Sequence, residues 1–266
     1  MVNITVENLH FSYTVGKEIL KGIDLQLDNT STAIIGQNGS GKTTFVKLLK
    51  GLLRPGSGRI LVSGKDIADF TVARLSEEIG LVFQNPNDQI FKNTVMDEVM
   101  FGPLNIGQSE SLAKENSLQA LEMVGLSYCL ESHPYDLSLS ERKLVSIASV
   151  VAMQTQIIIL DEPTIAQDYG GKEKIKKIIK NLSSEGRLVL TIIHDMDFVA
   201  ETFERTIVFH KGQVLLDGDT RTVFGATDVL YNAYLEPPHV TQLCRKLGYQ
   251  ETFLTTEEFI RYKKGQ

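Results

Sequence analysis

Residues 34–44 read Ile34-Ile35-Gly36-Gln37-Asn38-Gly39-Ser40-Gly41-Lys42-Thr43-Thr44, which is the spacing of a glycine-rich phosphate-binding loop. The apolar run Ala33-Ile34-Ile35 precedes the loop. Apolar residues recur with helical spacing after it, at Phe45, Leu48, Leu49 and Leu52. Gly51 is suited to end that helix. The segment therefore predicts a strand, a loop and a helix, in this order.

The residue types of this loop suit a polyphosphate. Glycines let successive backbone N–H groups turn inward, and the start of a helix adds a partial positive charge. Lys42 is expected to reach the β- and γ-phosphates, and Thr43 to bind Mg²⁺. The expected nucleotide contacts are Gly36, Gln37, Asn38, Gly39, Ser40, Gly41, Lys42, Thr43 and Thr44.

Composition excludes several classes of protein. With 266 residues the chain could form one large domain or two small ones. The formal charge of -6 argues against a dominant nucleic-acid-binding face, so we expect no nucleic-acid partner. Cys129 and Cys244 are too few for a metal framework and are expected to be reduced. Neither a secretion signal nor an apolar run of about 18 residues is present, so a membrane role would require a partner.

Two stretches ahead of the loop, Ile4–Tyr13 and Ile23–Leu27, alternate apolar and polar residues and predict antiparallel strands. Arg59–Gly64 predicts another short strand of this layer. Tyr13 could place its ring against an adenine, or could simply pack in the sheet.

Polar residues follow two further predicted strands. Gln84 follows Ile79–Phe83, and His194 follows Arg187–Ile193. Ligands bind at the carboxyl ends of strands in an open α/β sheet, so Gln84 is expected at the phosphate crevice. His194 could hydrogen-bond a γ-phosphate or an attacking water; for both residues, a solvated surface position is the alternative.

Two carboxylates end the apolar run Ile157–Leu160, which suits a central strand buried on both faces. Asp161 is expected to hold Mg²⁺ through water. Glu162, directed the other way by strand alternation, is expected to polarise an attacking water. A pair of exposed acids at a strand end is the alternative.

Residues from about 94 to 154 predict an inserted helical subdomain. Within it, Ser111–Val124 has an amphipathic pattern that Gly125 ends. Ser138 with Glu141 three residues later forms a capping-box pattern at the start of the next helix. A capped helix start can also offer N–H groups to a phosphate, so both interpretations of Ser138 stay open.

The carboxyl-terminal part changes in character. Phe209–Gly218 predicts a hairpin, and beyond about residue 226 Pro237-Pro238 interrupts the chain. Thr255 and Glu258 predict the cap of a last helix. We expect a nucleotide-binding domain over residues 1–225, which includes the helical subdomain at about 90–155. A tail subdomain over 226–266 is expected to serve in packing or association.

The order and spacing of these motifs resemble an ATP-binding-cassette (ABC) ATPase over roughly residues 2–222. The resemblance implies an α/β fold with a P-loop NTPase (RecA-like) core, an antiparallel β subdomain, an inserted α-helical subdomain and a small carboxyl-terminal tail. It implies ATP and Mg²⁺ as cofactors. The implied site residues are Tyr13 for adenine stacking, residues 36–43 as Walker A, Gln84 in the Q-loop, Asp161 and Glu162 as Walker B aspartate and catalytic glutamate, Asp168 in the D-loop, and His194 as switch histidine. Gln84 is also expected near the metal.

Within that family, Gln84–Phe91 and Phe101–Leu104 are similar to the ATPase subunits of energy-coupling-factor (ECF) transporters, as is the tail with its two prolines. Those transporters take up vitamins and transition-metal ions. The resemblance implies a peripheral position on the cytoplasmic face of the membrane, a second ATPase subunit, and a transmembrane coupling protein docked near Gln84–Phe91. It implies a substrate-binding membrane subunit as an indirect partner. Ile90 and Phe91 are expected to face the coupling protein, with core packing as the alternative.

One segment departs from the family pattern. The family signature is Leu-Ser-Gly-Gly-Gln, whereas this chain has Leu137-Ser138-Leu139-Ser140-Glu141. Side chains at residues 139 and 140 obstruct the close approach that glycine permits. Because the signature serves the partner's ATP, we expect an asymmetric heterodimer in which a second ATPase supplies an intact signature.

Three other classes remain as alternatives. A cassette protein of DNA repair or translation would carry coiled-coil insertions or two cassettes, which this sequence lacks. A nucleotide-binding structural subunit that hydrolyses nothing is favoured only by the altered signature. A small kinase or GTPase shares the phosphate loop but does not explain Gln84, Leu137-Ser138 and His194 together.

Overall fold

The computed structural model describes residues 3–14 and 16–265. The strands are β1 (Ile4–Thr14), β2 (Lys17–Leu27), β3 (Thr32–Gly36), β4 (Ser57–Val62), β5 (Lys65–Asp66), β6 (Ile79–Val82), β7 (Ile157–Asp161), β8 (Leu188–Ile192), β9 (Arg205–His210) and β10 (Gln213–Asp219). The α-helices are α1 (Lys42–Leu49), α2 (Val72–Glu78), α3 (Val95–Asn105), α4 (Glu110–Val124), α5 (Leu139–Val151), α6 (Tyr169–Ser184), α7 (Met196–Thr202), α8 (Thr220–Gly225), α9 (Thr227–Asn232), α10 (His239–Lys246) and α11 (Thr256–Lys264).

One sheet is antiparallel and has the order β2-β1-β4-β5. The alternation predicted for its first strands appears as burial of one face, at Ile4, Val6, Leu9 and Phe11. This sheet covers one side of the molecule and brings the end of β1 towards the phosphate-binding loop.

The other sheet has the order β10-β9-β3-β8-β7-β6. Its five strands from β9 to β6 run parallel, and β10 pairs antiparallel with β9. Every residue of β3, β6, β7 and β8 is buried, as expected for strands covered on both faces. The carboxyl ends of these four strands lie at one edge of the sheet, where ligands bind in such folds.

Two hydrophobic clusters flank this sheet. Phe45 of α1 packs with Ile34, Ile157 and Ile159 between the two sheets. On the opposite face, Ile158 packs with residues of α4, α5 and α6. Successive residues of one strand therefore belong to different clusters, because side chains alternate across a sheet. The predicted α/β architecture is confirmed.

The helical insertion consists of α3, α4 and α5, which pack on one another. Gly125 ends α4 in the left-handed conformation, with φ 74°, as the sequence predicts. Ser138 and Glu141 form the predicted capping box at the start of α5. The helix after the phosphate loop ends before Gly51, as predicted: α1 ends at Leu49, and Leu52, which was counted in the helical pattern, lies beyond it on the surface. The reason is the turn at Gly51, which has φ 73°.

The last residues extend the main core. Leu230, Ala233 and Leu235 join the same hydrophobic cluster as the helical insertion. Thr255 caps α11 by accepting a hydrogen bond from the Glu258 N–H, as predicted. Among residues 3–14 and 16–265, no helix combines the length and apolarity that a bilayer crossing requires.

Candidate functional site: a phosphate-binding cleft

The phosphate-binding loop leaves β3 and enters α1 through two glycines with unusual backbone angles. Gly36 has φ 153° and Gly41 has φ 106°. A Cβ atom added to Gly36 would lie 2.3 Å from the Phe209 carbonyl oxygen and 2.8 Å from Ser40 Oγ. The sheet and the loop therefore leave no space for a side chain at this position.

The start of α1 fits an anion. Among residues 3–14 and 16–265, no side chain caps the first turn of α1, and Ser40 Oγ is buried without a hydrogen-bond partner. Uncapped helix N–H groups and a free hydroxyl are donors that phosphate oxygens can use. Lys42 Nζ lies across the loop and donates to the carbonyl oxygens of Gly36 (2.7 Å) and Gln37 (2.9 Å). Burial lowers the pKa of Lys42, with nearby Glu162 and Asp161 opposing this effect.

Asp161 is the last residue of β7 and is almost completely buried. Burial raises the pKa of its carboxyl group, and the Glu162 carboxylate raises it further; the Thr43 hydroxyl opposes this by hydrogen-bonding to the carboxylate. Asp161 Oδ1 is buried and has no hydrogen-bond partner in the part of the chain that the structure describes. A carboxylate oxygen and a hydroxyl beside a phosphate site are the oxygen ligands that Mg²⁺ prefers, so these residues fit the ion.

Glu162 leaves the strand in the left-handed conformation, with φ 48°. The direction of its side chain is therefore set by this turn, and the strand alternation assumed from the sequence does not apply. Glu162 Oε1 lies 3.0 Å from His194 Nε2. The hydrogen bond from His194 holds the pKa of Glu162 below its usual range, with a smaller contribution from Gln84. The arrangement keeps an ionised carboxylate at the cleft.

A cleft of about 440 Å³ gathers most of the predicted residues. It is lined by Tyr13, Asn38, Gly39, Gly41, Lys42, Thr43, Thr44, Gln84 and Glu162. Tyr13 is 58% exposed, stands edge-on to Phe11 with ring centroids 4.9 Å apart, and has its hydroxyl 3.3 Å from Thr44 Oγ1. One exposed ring face at the mouth of the cleft can stack on a base.

Two predicted residues, Ser138 and Asp168, lie apart from this cleft, each at the start of a helix. Asp168 caps α6 by accepting from the Gly171 N–H at 2.7 Å. Glu141 Oε2 accepts from both the N–H and the hydroxyl of Ser138, at 2.8 and 2.6 Å, and Glu141 Oε1 accepts from the Tyr128 hydroxyl. These hydrogen bonds lower the pKa of Glu141, and the bond from the Ser138 hydroxyl contributes most.

Lys143 is a residue that the sequence analysis missed. It is 1% exposed, and its Nζ donates to the carbonyl oxygens of Phe83 (2.7 Å), Gln84 (2.9 Å) and Asp161 (3.0 Å). Burial lowers its pKa to about 8. The sequence did contain a signal for Lys143, because this lysine precedes Leu144 and Val145 in a helix that was predicted to be deeply buried. Tyr128 gave no comparable signal, because it lies outside every motif.

The fold and the cleft together define a cassette ATPase. Residues 20–165 match the family model described as ABC transporter, and the chain belongs to the ABC transporter family of ATPases. It is similar to the energy-coupling factor transporter ATP-binding protein EcfA2 of Caldanaerobacter subterraneus, with 36% identity over 98% of this chain and 98% of that protein.

Two further proteins extend this comparison. A putative ABC transporter ATP-binding protein of Methanosarcina acetivorans is 41% identical over 92% of this chain. The chain spans only 41% of the length of that relative. Among solved structures, cbiO1 from Clostridium perfringens, part of the ABC transporter complex cbiONQ, has a TM-score of 0.77 and 33% identity. That match covers 91% of this chain and 98% of that chain. The resemblance stated from the motifs is thereby confirmed.

Proposed function

We propose that the chain is the ATP-binding and ATP-hydrolysing subunit of an ECF-type membrane importer of vitamins or transition-metal ions. The observation that carries the ATPase assignment is the contact of Glu162 with His194 at the edge where Lys42 and Asp161 meet. The similarity to EcfA2 and to cbiO1 supports the importer type. The class of cargo rests on the resemblance to ECF transporters.

Each side chain of the cleft has a chemical task in this proposal. The N–H groups at the start of α1 and the Lys42 ammonium bind the phosphates, and Tyr13 stacks on the adenine. Thr43, Asp161 and Gln84 would hold Mg²⁺, directly or through water, and the ion would supply positive charge against the phosphates.

Glu162 activates the attacking water, and His194 orients Glu162. The ionised carboxylate accepts a hydrogen bond from the water and polarises it. His194 donates from Nε2 to Glu162 and so orients the carboxylate beside the phosphate loop. This pairing argues against a subunit that binds nucleotide without hydrolysing it.

The altered signature supports an asymmetric pair of ATPase subunits. Ser138 uses both of its donors on Glu141, and the low pKa of Glu141 keeps a negative charge there. Leu139 is 41% exposed where the family has a glycine. Repulsion of a partner's triphosphate and loss of the serine donor both weaken the site that this signature would complete. The D-loop residue Asp168 would face the same interface.

The membrane partner has a candidate docking groove of about 320 Å³ on the side of the Q-loop. Its apolar lining includes Phe83, Phe91, Phe101 and Met153. Phe91 and Phe101 are both exposed and stand edge to face, 4.7 Å apart, with Lys92 Nζ over each ring. We propose a segment of the transmembrane coupling protein as the occupant, which places the chain at the cytoplasmic face of the membrane. The substrate-binding membrane subunit is then reached only indirectly.

For one of the two residues considered at that interface, the alternative of core packing holds. Ile90 is 3% exposed and packs in the core, because the loop after Gln84 turns it inward. Phe91 alone of the two is available on the surface. The docking surface therefore depends on Phe91 and Phe101.

The experiment that tests this proposal is the mass of the Glu162→Gln chain in solution, by light scattering, with and without Mg-ATP. Removal of the carboxylate should reduce hydrolysis by at least about a hundredfold and retain bound ATP. A monomer that binds ATP is the expected result. A chain that binds no ATP would overturn the ATPase assignment, and an ATP-dependent homodimer would overturn the asymmetry.

A further inference from the structure

Lys143 of α5 lies behind the cleft, beside the ends of two strands of the sheet. Its three hydrogen bonds go to carbonyl oxygens on two strand ends: Phe83 and Gln84 after β6, and Asp161 at the end of β7. The side chains of Gln84 and Asp161 are the ones assigned to Mg²⁺. One buried cation therefore links the backbones of two proposed metal ligands, one that follows β6 and one that ends β7.

The hydrogen-bond geometry requires the charged form of this side chain. An ammonium has three N–H donors, and all three are used on carbonyl oxygens. A neutral amine would have two donors and would present its lone pair to the third carbonyl. A cation buried in this way is costly unless its donors are satisfied, so its presence here points to a positional role.

The segment after β6 is fastened to α5 by further bonds. Gln89 Nε2 donates to Ser146 O and to Ser149 Oγ, both at 3.0 Å. Arg142 donates to Asn87 Oδ1 at 3.1 Å. The Q-loop is therefore attached to α5 along its length, and Lys143 additionally connects this unit to the end of β7.

We propose that Lys143 is a positioning residue for the metal site: it sets the backbone of Gln84 against that of Asp161, so that a displacement of α5 changes the coordination of Mg²⁺. The inference rests on the proposed roles of Gln84 and Asp161. It gives α5 a direct connection to the metal-binding edge of the sheet, separate from the signature at the start of the same helix.

The test is the Mg²⁺ dependence of ATP binding by the full chain carrying Lys143→Met, which keeps the length and apolar stem but has no donor. Dissociation constants for ATP are measured by calorimetry with Mg²⁺ and with EDTA. The ratio of the two constants is expected to shrink by roughly tenfold, the usual effect of removing a residue that orients metal ligands. Binding in EDTA is expected to stay close to that of the unaltered chain.

Lys50→Met is the matched control. Lys50 is also a buried lysine whose pKa burial lowers to about 8, and its Nζ donates to Ser76 Oγ and to the Ile79 carbonyl at the opposite end of β6. It should lose stability as Lys143→Met does and keep the Mg²⁺ ratio of the unaltered chain. An equal loss of the ratio in both variants would overturn the inference, as would an unchanged ratio in Lys143→Met.

A second variant keeps the test decisive if Lys143→Met does not fold. Lys143→Gln retains two N–H donors and should reduce the Mg²⁺ ratio by an intermediate factor; an unchanged ratio overturns the inference. The failure of the proposed function looks different, because the unaltered chain would then show no effect of Mg²⁺ on ATP binding at all.

Discussion

Gly36 shows how a single position limits the phosphate-binding loop. In Gly36→Ala the new methyl group meets the Phe209 carbonyl oxygen and Ser40 Oγ at distances that no real Cβ tolerates. Overpacking of this kind costs about 1–3 kcal/mol, and the loop must shift away from β9. We expect a lower melting temperature and loss of measurable ATP binding, checked by thermal denaturation and calorimetry.

Gly64→Ala is the control for that substitution. Gly64 also has a positive φ, of 78°, but apart from its two chain neighbours no heavy atom of the described residues lies within 4 Å of the added Cβ. Its cost is backbone strain alone, about 1 kcal/mol. The variant should melt slightly earlier and bind ATP normally; if both alanine variants bind ATP alike, steric exclusion at Gly36 is not the cause.

The residues of the cleft differ in how far the sequence predicts them. The loop glycines, Lys42 and Thr43 follow from spacing alone, because their chemistry is local. Lys143 could not be assigned, since its three partners lie on segments about 20 and 60 positions away in the chain. The bonding of Tyr128 to Glu141 depends in the same way on the packing of two helices.

At the level of secondary structure, the strands and helices with a clear apolar pattern were predicted correctly. The positions of their ends were predicted less well. The buried runs that became β6, β7 and β8 are almost entirely apolar, with Asp161 at the end of β7 and Thr191 in β8 as exceptions, which leaves little choice of structure. The ends of strands and helices depend on turns, which the spacing of apolar residues does not predict. The turn at Glu162 redirects a side chain, and the turn after Gln84 buries Ile90.

The last helix, α11, is held to α8 by an ion pair that predicts a pH dependence. Arg221 donates from two nitrogens to the two carboxylate oxygens of Glu258, and Leu254 N–H donates to the same group. The Arg221 guanidinium holds the pKa of Glu258 below its usual 4.5. The stabilisation is therefore complete above pH 4.5 and disappears as the pH falls through the lower pKa of the folded state.

Glu258→Gln tests this pair. At neutral pH the variant should be less stable by about 1 kcal/mol, a fall in melting temperature of about 2–4 °C for a chain of this size. In a series of thermal denaturations, the difference from the unaltered chain should shrink below pH 4.5 and vanish once the pH has fallen through the lower pKa of Glu258 in the folded state. Glu257→Gln, at an exposed neighbouring position of the same helix turn, should show no such difference.

At the scale of the whole molecule, the proposed asymmetry implies that the signature decides whether two copies of the chain can pair. We predict that restoring the family pattern with Leu139→Gly, Ser140→Gly and Glu141→Gln, in the Glu162→Gln background, produces an ATP-dependent homodimer detectable by light scattering. The substitutions free the Ser138 hydroxyl and remove the charge. Two glycines in the first turn of α5 and a weaker capping box should lower the stability by about 2 kcal/mol.

Leu139→Gly with Ser140→Gly alone is the informative comparison. It opens the backbone but leaves the Glu141 carboxylate bonded to Ser138. This double variant should remain a monomer with Mg-ATP. A dimer at this stage would assign the block to side-chain bulk and leave the charge without a role.

In the proposed asymmetric pair, the bonding of Ser138 to Glu141 has a consequence for the energy supply of the transporter. If only the composite site completed by the other subunit's signature hydrolyses its nucleotide, each transport cycle consumes one ATP where a symmetric assembly would consume two. The second ATP then remains bound over many cycles as a permanent part of the subunit interface. A cell would import the same cargo at half the nucleotide cost, with a correspondingly smaller free-energy gradient available to concentrate it.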